Sequence, residues 1–116
     1  MGQAEHPPII LKTYDFTLWL LPKVEKFNRA YRFTVGERLV SHALDLLLDL
    51  VQAAYSAEKT AHLDRANLHV NAVRYLLRLA KDLKLLTLGS WEHAAERLDE
   101  IGRMVGGWQK ASARRA

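Results

Sequence analysis

The stretch Val35-Gly-Glu-Arg-Leu-Val-Ser-His-Ala-Leu-Asp-Leu-Leu-Leu-Asp-Leu-Val-Gln-Ala-Ala-Tyr55 decides the fold class. Its apolar residues Leu39, Ala43, Leu46, Leu47, Leu50, Val51 and Ala54 recur at three- and four-residue steps, while Arg38, Ser41, His42, Asp45, Asp49 and Gln52 collect on the other side. That spacing puts the apolar set on one face of an α-helix and leaves the charged set to solvent. Thr34 and, three residues on, Glu37 have the spacing of a capping box, in which each side chain takes an orphan amide of the first turn.

Three further helical stretches flank it. Upstream, 9–27 carries two apolar stripes, Ile10, Tyr14, Leu18 and Leu21 in one and Phe16, Leu20, Val24 and Phe27 in the other. Pro22 lies inside this stretch; it lacks an amide donor and crowds the preceding turn, so a kink or a restart is expected there. Downstream, 58–86 has apolar positions spread over about 200° of the helix circumference. Leu68, Ala72, Leu76, Leu79 and Leu83 form one side of that arc, and Ala66, Val70, Val73, Leu77 and Ala80 the other. The remaining strip holds Asn67, Asn71, Arg74, Arg78 and Lys81. In 91–108, Ser90 is the expected cap and Trp91, Ala94, Leu98, Ile101, Val105 and Trp108 step by threes and fours.

No stretch alternates with a period of two, so no strand is expected. The connections are short, which makes neighbouring helices antiparallel. The expected fold is all-α, an antiparallel up-down-up-down four-helix bundle over 9–109, with a flexible lead at 1–8 and a basic tail at 110–116. A three-helix bundle, with the first helix shortened at Pro22, is the competing arrangement.

Composition narrows the chemistry. The chain has 116 residues, 49% of them apolar, and no cysteine. One domain with its own core fits that length. Disulfide frameworks, thiolate zinc sites and cysteine nucleophiles are excluded outright. No apolar run reaches the roughly 18 residues of a membrane span. No basic and apolar leader precedes the first helix, so the expected location is cytoplasmic. A di-iron bundle needs Glu-x-x-His pairs, and only the reverse order, His93 and Glu96, occurs. His62 and His69 lie two turns apart, and His42 stands beside Asp45 and Asp49 on what reads as a charged outer face. There is no phosphate-cradling glycine loop and no nucleophile elbow. The chain is therefore expected to be no enzyme, with no catalytic residues, no metal and no cofactor.

Two features ask for a partner. Seventeen Lys and Arg against thirteen Asp and Glu give a net charge of +4. Arg74, Arg78 and Lys81, spaced by four and three, share one face, with Arg29 and Arg32 in the first connection and Lys110, Arg114 and Arg115 in the tail. Such groups neutralise phosphates with little sequence preference, or simply make a solvated face. The wide arc of the third helix exceeds what one bundle buries and points to self-association. Gly102 and Gly106, with Gly107 beside them, either admit a close backbone or end the helix.

Three strings carry a family likeness: Phe27-Asn-Arg-Ala-Tyr-Arg-Phe-Thr-Val-Gly-Glu-Arg38, Leu76-Leu-Arg-Leu-Ala-Lys-Asp-Leu83 and Leu98-Asp-Glu-Ile-Gly-Arg-Met-Val-Gly-Gly-Trp108. Together they resemble the Avd proteins, the accessory variability determinants of diversity-generating retroelements, and their relatives encoded in ribosomal-RNA intervening sequences. The resemblance implies a four-helix protomer assembled as a homopentamer. It implies binding to an RNA or DNA backbone, alone or as hybrid, and association with a reverse transcriptase during mutagenic cDNA synthesis. Carried onto this chain, it makes Arg29, Arg32, Arg38, Arg78 and Arg103 nucleic-acid-binding positions, to which spacing adds Arg74 and Lys81. It also reads Gly102 and Gly106 as continuous helix and the wide arc as a subunit contact. The alternatives are an oligomeric all-α scaffold that binds only protein, and an intervening-sequence relative of unknown duty.

Overall fold

The computed structural model describes residues 7–115. Four long helices carry them, and no strand occurs among them. These are α1 (Pro8–Glu25), α2 (Glu37–Tyr55), α3 (Thr60–Asp82) and α4 (Leu88–Arg115). Each long helix packs against two others, so that α1, α2, α3 and α4 close a ring around one core. The 28 residues of α4 span about 42 Å at 1.5 Å per residue, close to the longest extent of the molecule, 45 Å. Among the described residues no helix is long and apolar enough to cross a membrane. The expected lead at 1–8 falls outside the described residues except for Pro7 and Pro8, and Pro8 opens α1.

Where the sequence offers two stripes the core takes one in full and only parts of the other, such as Ile10 on α1. On α1 it takes Phe16, Leu20 and Val24, with Phe27 just beyond the helix, and leaves Tyr14 and Leu18 exposed. On α3 it takes Ala66, Val70, Val73, Leu77 and Ala80, while Leu68 and Leu79 are 67% and 44% exposed. From α2 come Leu39, Ala43, Leu46 and Leu50, and from α4 Ala94, Leu98, Ile101 and Val105. Burying such a side chain contributes about 1.5–3 kcal/mol, so the ring of helices is held chiefly by these positions.

Several expected boundaries move, each for a local reason. α1 runs through Pro22 without a restart. The carbonyl deprived of its donor belongs to Leu18, on the exposed side of the helix, where the missing amide leaves no buried acceptor unpaired. The capping box does not form, because helical backbone already precedes it. Asn28 accepts from the Ala30 amide at 2.8 Å and opens a short turn, Arg29–Tyr31, which continues as a π-helical segment, Arg32–Gly36, into α2. The Thr34 hydroxyl instead donates to the Tyr31 carbonyl. Gly36 is required here: a Cβ would stand 2.9 Å from Val24 Cγ1.

α3 ends at Asp82 rather than near residue 86. Leu85 N–H donates to the Ala80 carbonyl and Lys84 N–H to that of Lys81, with Lys84 at φ 64°. This is the Schellman arrangement, with lysine in the left-handed position where glycine is usual; the absence of glycine hid the stop. α4 starts earlier than expected, because the Thr87 hydroxyl, not Ser90, caps it by accepting from the Ser90 amide at 3.0 Å. The helix then passes through Gly102, Gly106 and Gly107 and continues to Arg115.

Candidate nucleic-acid interface

The polar strip of α3 lies along its seam with α4. The helical repeat brings Asn67, Asn71, Arg74 and Arg78 to one flank, and α4 answers with Asp99, Arg103 and Trp91. Arg74 donates to Asn71 Oδ1 at 2.8 Å and to Asp99 Oδ1 at 3.1 Å. Lys81 Nζ sits 3.7 Å from Asp82 and 4.2 Å from the centre of the Trp91 ring. Two hollows follow the seam. One, of about 400 Å³, is walled by Arg74, Asp99, Tyr75, Arg78 and Trp91 over Leu77 and Leu98. The other, of about 250 Å³, lies between Asn67, Asn71 and Arg74 on α3 and Gly102 and Arg103 on α4.

Of the seven expected cationic positions, Arg74, Arg78 and Arg103 thus line one seam, and Lys81 adjoins it. Their charges differ in availability. The ion pair with Asp99 holds Arg74, whereas Arg78 and Arg103 have no ion pair or hydrogen bond among the described residues. A guanidinium without a carboxylate partner keeps its whole planar fork for an incoming anion. Arg29 and Arg32 lie elsewhere, in the connection between α1 and α2. Arg32 stands 4.9 Å over the Phe33 ring, and the π-helical segment it begins touches α3. Arg38 is exposed on the first turn of α2. A Cβ at Gly102 would meet Val70 Cγ1 at 3.3 Å and Arg74 Nη2 at 3.5 Å, both of the same chain, whereas a Cβ at Gly106 would meet nothing within 4 Å.

Tyr75 and Trp91 were not legible as parts of this seam. Tyr75 lies between Arg74 and Arg78 in the strip, and its spacing to Arg78 puts the two on one flank. Trp91 belongs to the apolar stripe of α4, and only the packing of α4 on α3 brings its ring under Lys81.

His42, expected on a charged outer face, is half-buried at the seam of α2 and α3. His42 and His69 meet across α2 and α3, Nδ1 to Nδ1 at 2.9 Å, and His69 Nε2 lies 3.5 Å from Asp49 Oδ2. Arg65 joins Asp49 at 3.3 Å and His62 at 2.7 Å. Burial, and then the neighbouring His69, hold the His42 imidazole below its ordinary value. His93 packs on Trp19, with ring centres 4.8 Å apart. Among the described residues no group of three or more His, Asp or Glu is placed to hold a metal.

The sequence matches the bAvd-like family over residues 9–112. No curated protein and no solved structure matches it. The match takes in all of α2 and α3 and nearly all of α1 and α4, the helices that build the seam. On that match, the chain belongs to the bAvd-like family of Avd proteins.

Proposed function

We propose that this protein is a non-enzymatic accessory protein of a diversity-generating retroelement. It binds RNA, DNA or their hybrid with little sequence preference and associates with the reverse transcriptase to support mutagenic cDNA synthesis. The observation that carries this reading is the family match over residues 9–112, the family being one of accessory proteins. The seam supports it chemically, because the unpaired guanidiniums of Arg78 and Arg103 suit phosphate oxygens. Arg29, Arg32, Arg38, Arg74 and Lys81 complete the proposed contact surface, and the proposed location is the cytoplasm.

The proposed topology is antiparallel, up-down-up-down. Pairs in contact support it, since residue numbers rise on one helix as they fall on the next. His42 meets His69 while Asp49 meets Arg65. Arg74 meets Asp99 while Asp64 meets Gln109. Lys12 meets Glu100 while Trp19 meets His93.

The proposed assembly is a homopentamer, with Gly102 and Gly106 at a subunit contact and Gly106 the one open to a neighbour. An apolar groove of about 760 Å³ between α1 and α2, walled by Tyr14, Leu18, Leu21, Val40, Leu44 and Leu47, favours association of some kind. The same groove supports a second reading, an oligomeric scaffold that binds only protein. Electrophoretic mobility shift across a salt series separates the two. On the first reading, log affinity falls linearly with log salt, and Arg78→Ala or Arg103→Ala lowers the slope by about 0.9 on duplex DNA. Arg74→Ala lowers it less, because Asp99 already neutralises that charge. No retention of nucleic acid at low salt refutes the first reading and leaves the scaffold.

A further inference from the structure

We propose that the α3–α4 hollow takes an unpaired nucleobase, so that single-stranded nucleic acid is the preferred ligand. The inference rests on the nucleic-acid reading above and adds to it what the bases do. Tyr75 is 70% exposed, a large aromatic left in water between two arginines of the cationic strip. It forms one wall of the hollow of about 400 Å³, and Trp91 forms another. Lys81 Nζ lies over the Trp91 ring, 4.2 Å from its centre, so a cation already covers one face of that ring and Tyr75 is the more open stacking surface. The hollow rests on Leu77 and Leu98, both buried, so its inner end is apolar. The Arg74–Asp99 ion pair lines its rim, with the carboxylate neutralised by Arg74, and Arg78 stands at its side with no acidic partner of its own.

Aromatic walls, an apolar base and a free guanidinium at the edge are complementary to a planar heteroaromatic ring joined to a phosphate. The ring stacks inside and the phosphate remains at Arg78. The volume falls within the range of small-ligand pockets, roughly 300–1,000 Å³. A base in a duplex already has both faces covered by its neighbours, so only an unpaired strand offers a face to Tyr75 or Trp91. Stacking does not distinguish one base from another, which agrees with weak sequence preference.

The test is fluorescence anisotropy with three labelled probes of equal length: oligo-dT, an abasic oligomer of the same backbone, and a dT·dA duplex. Oligo-dT binds more tightly than the abasic strand by about 5- to 150-fold, the range for one stacked base. Tyr75→Ala and Trp91→Leu reduce that ratio toward one, while Arg78→Ala weakens both strands by a similar factor. Tyr75 is exposed, so its variant keeps the core, and the comparison of dT with the abasic strand uses the unaltered protein. Equal affinity for dT and the abasic strand overturns the base pocket while leaving backbone binding standing. A ratio that survives both Tyr75→Ala and Trp91→Leu in folded protein also overturns it. Tighter binding to the duplex than to dT does the same, and no binding of any probe at low salt removes the underlying reading with it.

Discussion

Thr13→Val should stabilise this protein. Thr13 is wholly buried on α1, and its hydroxyl has no hydrogen-bond partner. One turn on, the Thr17 hydroxyl donates to the Thr13 carbonyl at 2.8 Å, which leaves the Thr13 hydroxyl still unmatched. A buried hydroxyl without a partner costs about 1–3 kcal/mol. Valine has nearly the same shape and the same branching at Cβ, so packing and rotamer preference are retained. The expected gain is about 1–2 kcal/mol. With an unfolding entropy of about 2.1 cal/mol/K per residue, the 116 residues give a rise in Tm of about 4 °C for each kcal/mol. Thermal unfolding followed by far-UV circular dichroism measures that rise, at several protein concentrations because the proposed assembly would couple stability to concentration. Thr17→Val is the control. Its loss removes a satisfied hydroxyl while the Thr13 carbonyl keeps its helical amide, so stability shifts by no more than about 1 kcal/mol. A loss of 1 kcal/mol or more from Thr13→Val would refute the reasoning, since it would mean that the hydroxyl has a partner in the folded protein.

Three further outcomes follow from local geometry. Lys84 holds φ 64° at the end of α3, a conformation that costs a side-chain-bearing residue about 1–2 kcal/mol, so Lys84→Gly should raise Tm, and an unchanged or lowered Tm counts against the strain. His42 has its imidazole held below 6.5 by burial and by His69. The unfolded chain then takes up that proton more readily than the folded one, so stability is present above pH 6.5 and declines as pH falls below it. His42→Gln should flatten that part of the profile in denaturant titrations between pH 5 and pH 8, and an equal decline in the variant removes His42 as the cause. Gly106→Ala adds a methyl to open space and should stabilise an isolated helix by about 1 kcal/mol. If a neighbouring subunit packs there, light scattering shows a smaller assembly instead; neither change would contradict both the open geometry and the proposed contact.

The helices of this protein were legible because their signals are local. The stepping of Leu39, Ala43, Leu46 and Leu50 defines a buried face without reference to any other residue. What escaped were the ends. The Schellman turn at Lys84 carries no glycine, and the cap of α4 is Thr87, upstream of the serine that looked equivalent. Helix entry at Asn28 was masked by a better-looking box at Thr34 and Glu37, which is already inside helical backbone. Of the site, the cationic strip on α3 was legible from spacing alone. Its partition into the ion-paired Arg74 and the free Arg78 was not, because the deciding carboxylate, Asp99, is 25 positions away in sequence.

Sequence alone determined that the chain is all-helical, which residues can share a face, and which family it belongs to. It did not determine which of two apolar faces on α1 and α3 enters the core, because both satisfy the same helical period. Tertiary packing made that choice, burying Phe16, Leu20, Val70 and Leu77 and leaving Tyr14, Leu18, Leu68 and Leu79 outside. A ring of four helices has room inside for one full stripe from each and only the edge of a second, as at Ile10, Leu76 and Leu83. The part of the other α1 stripe left at the surface, Tyr14 and Leu18, walls the groove with α2, while Tyr75 and Trp91, beside the cations of α3, wall the hollow, and on these two surfaces this protein's partners are proposed to act.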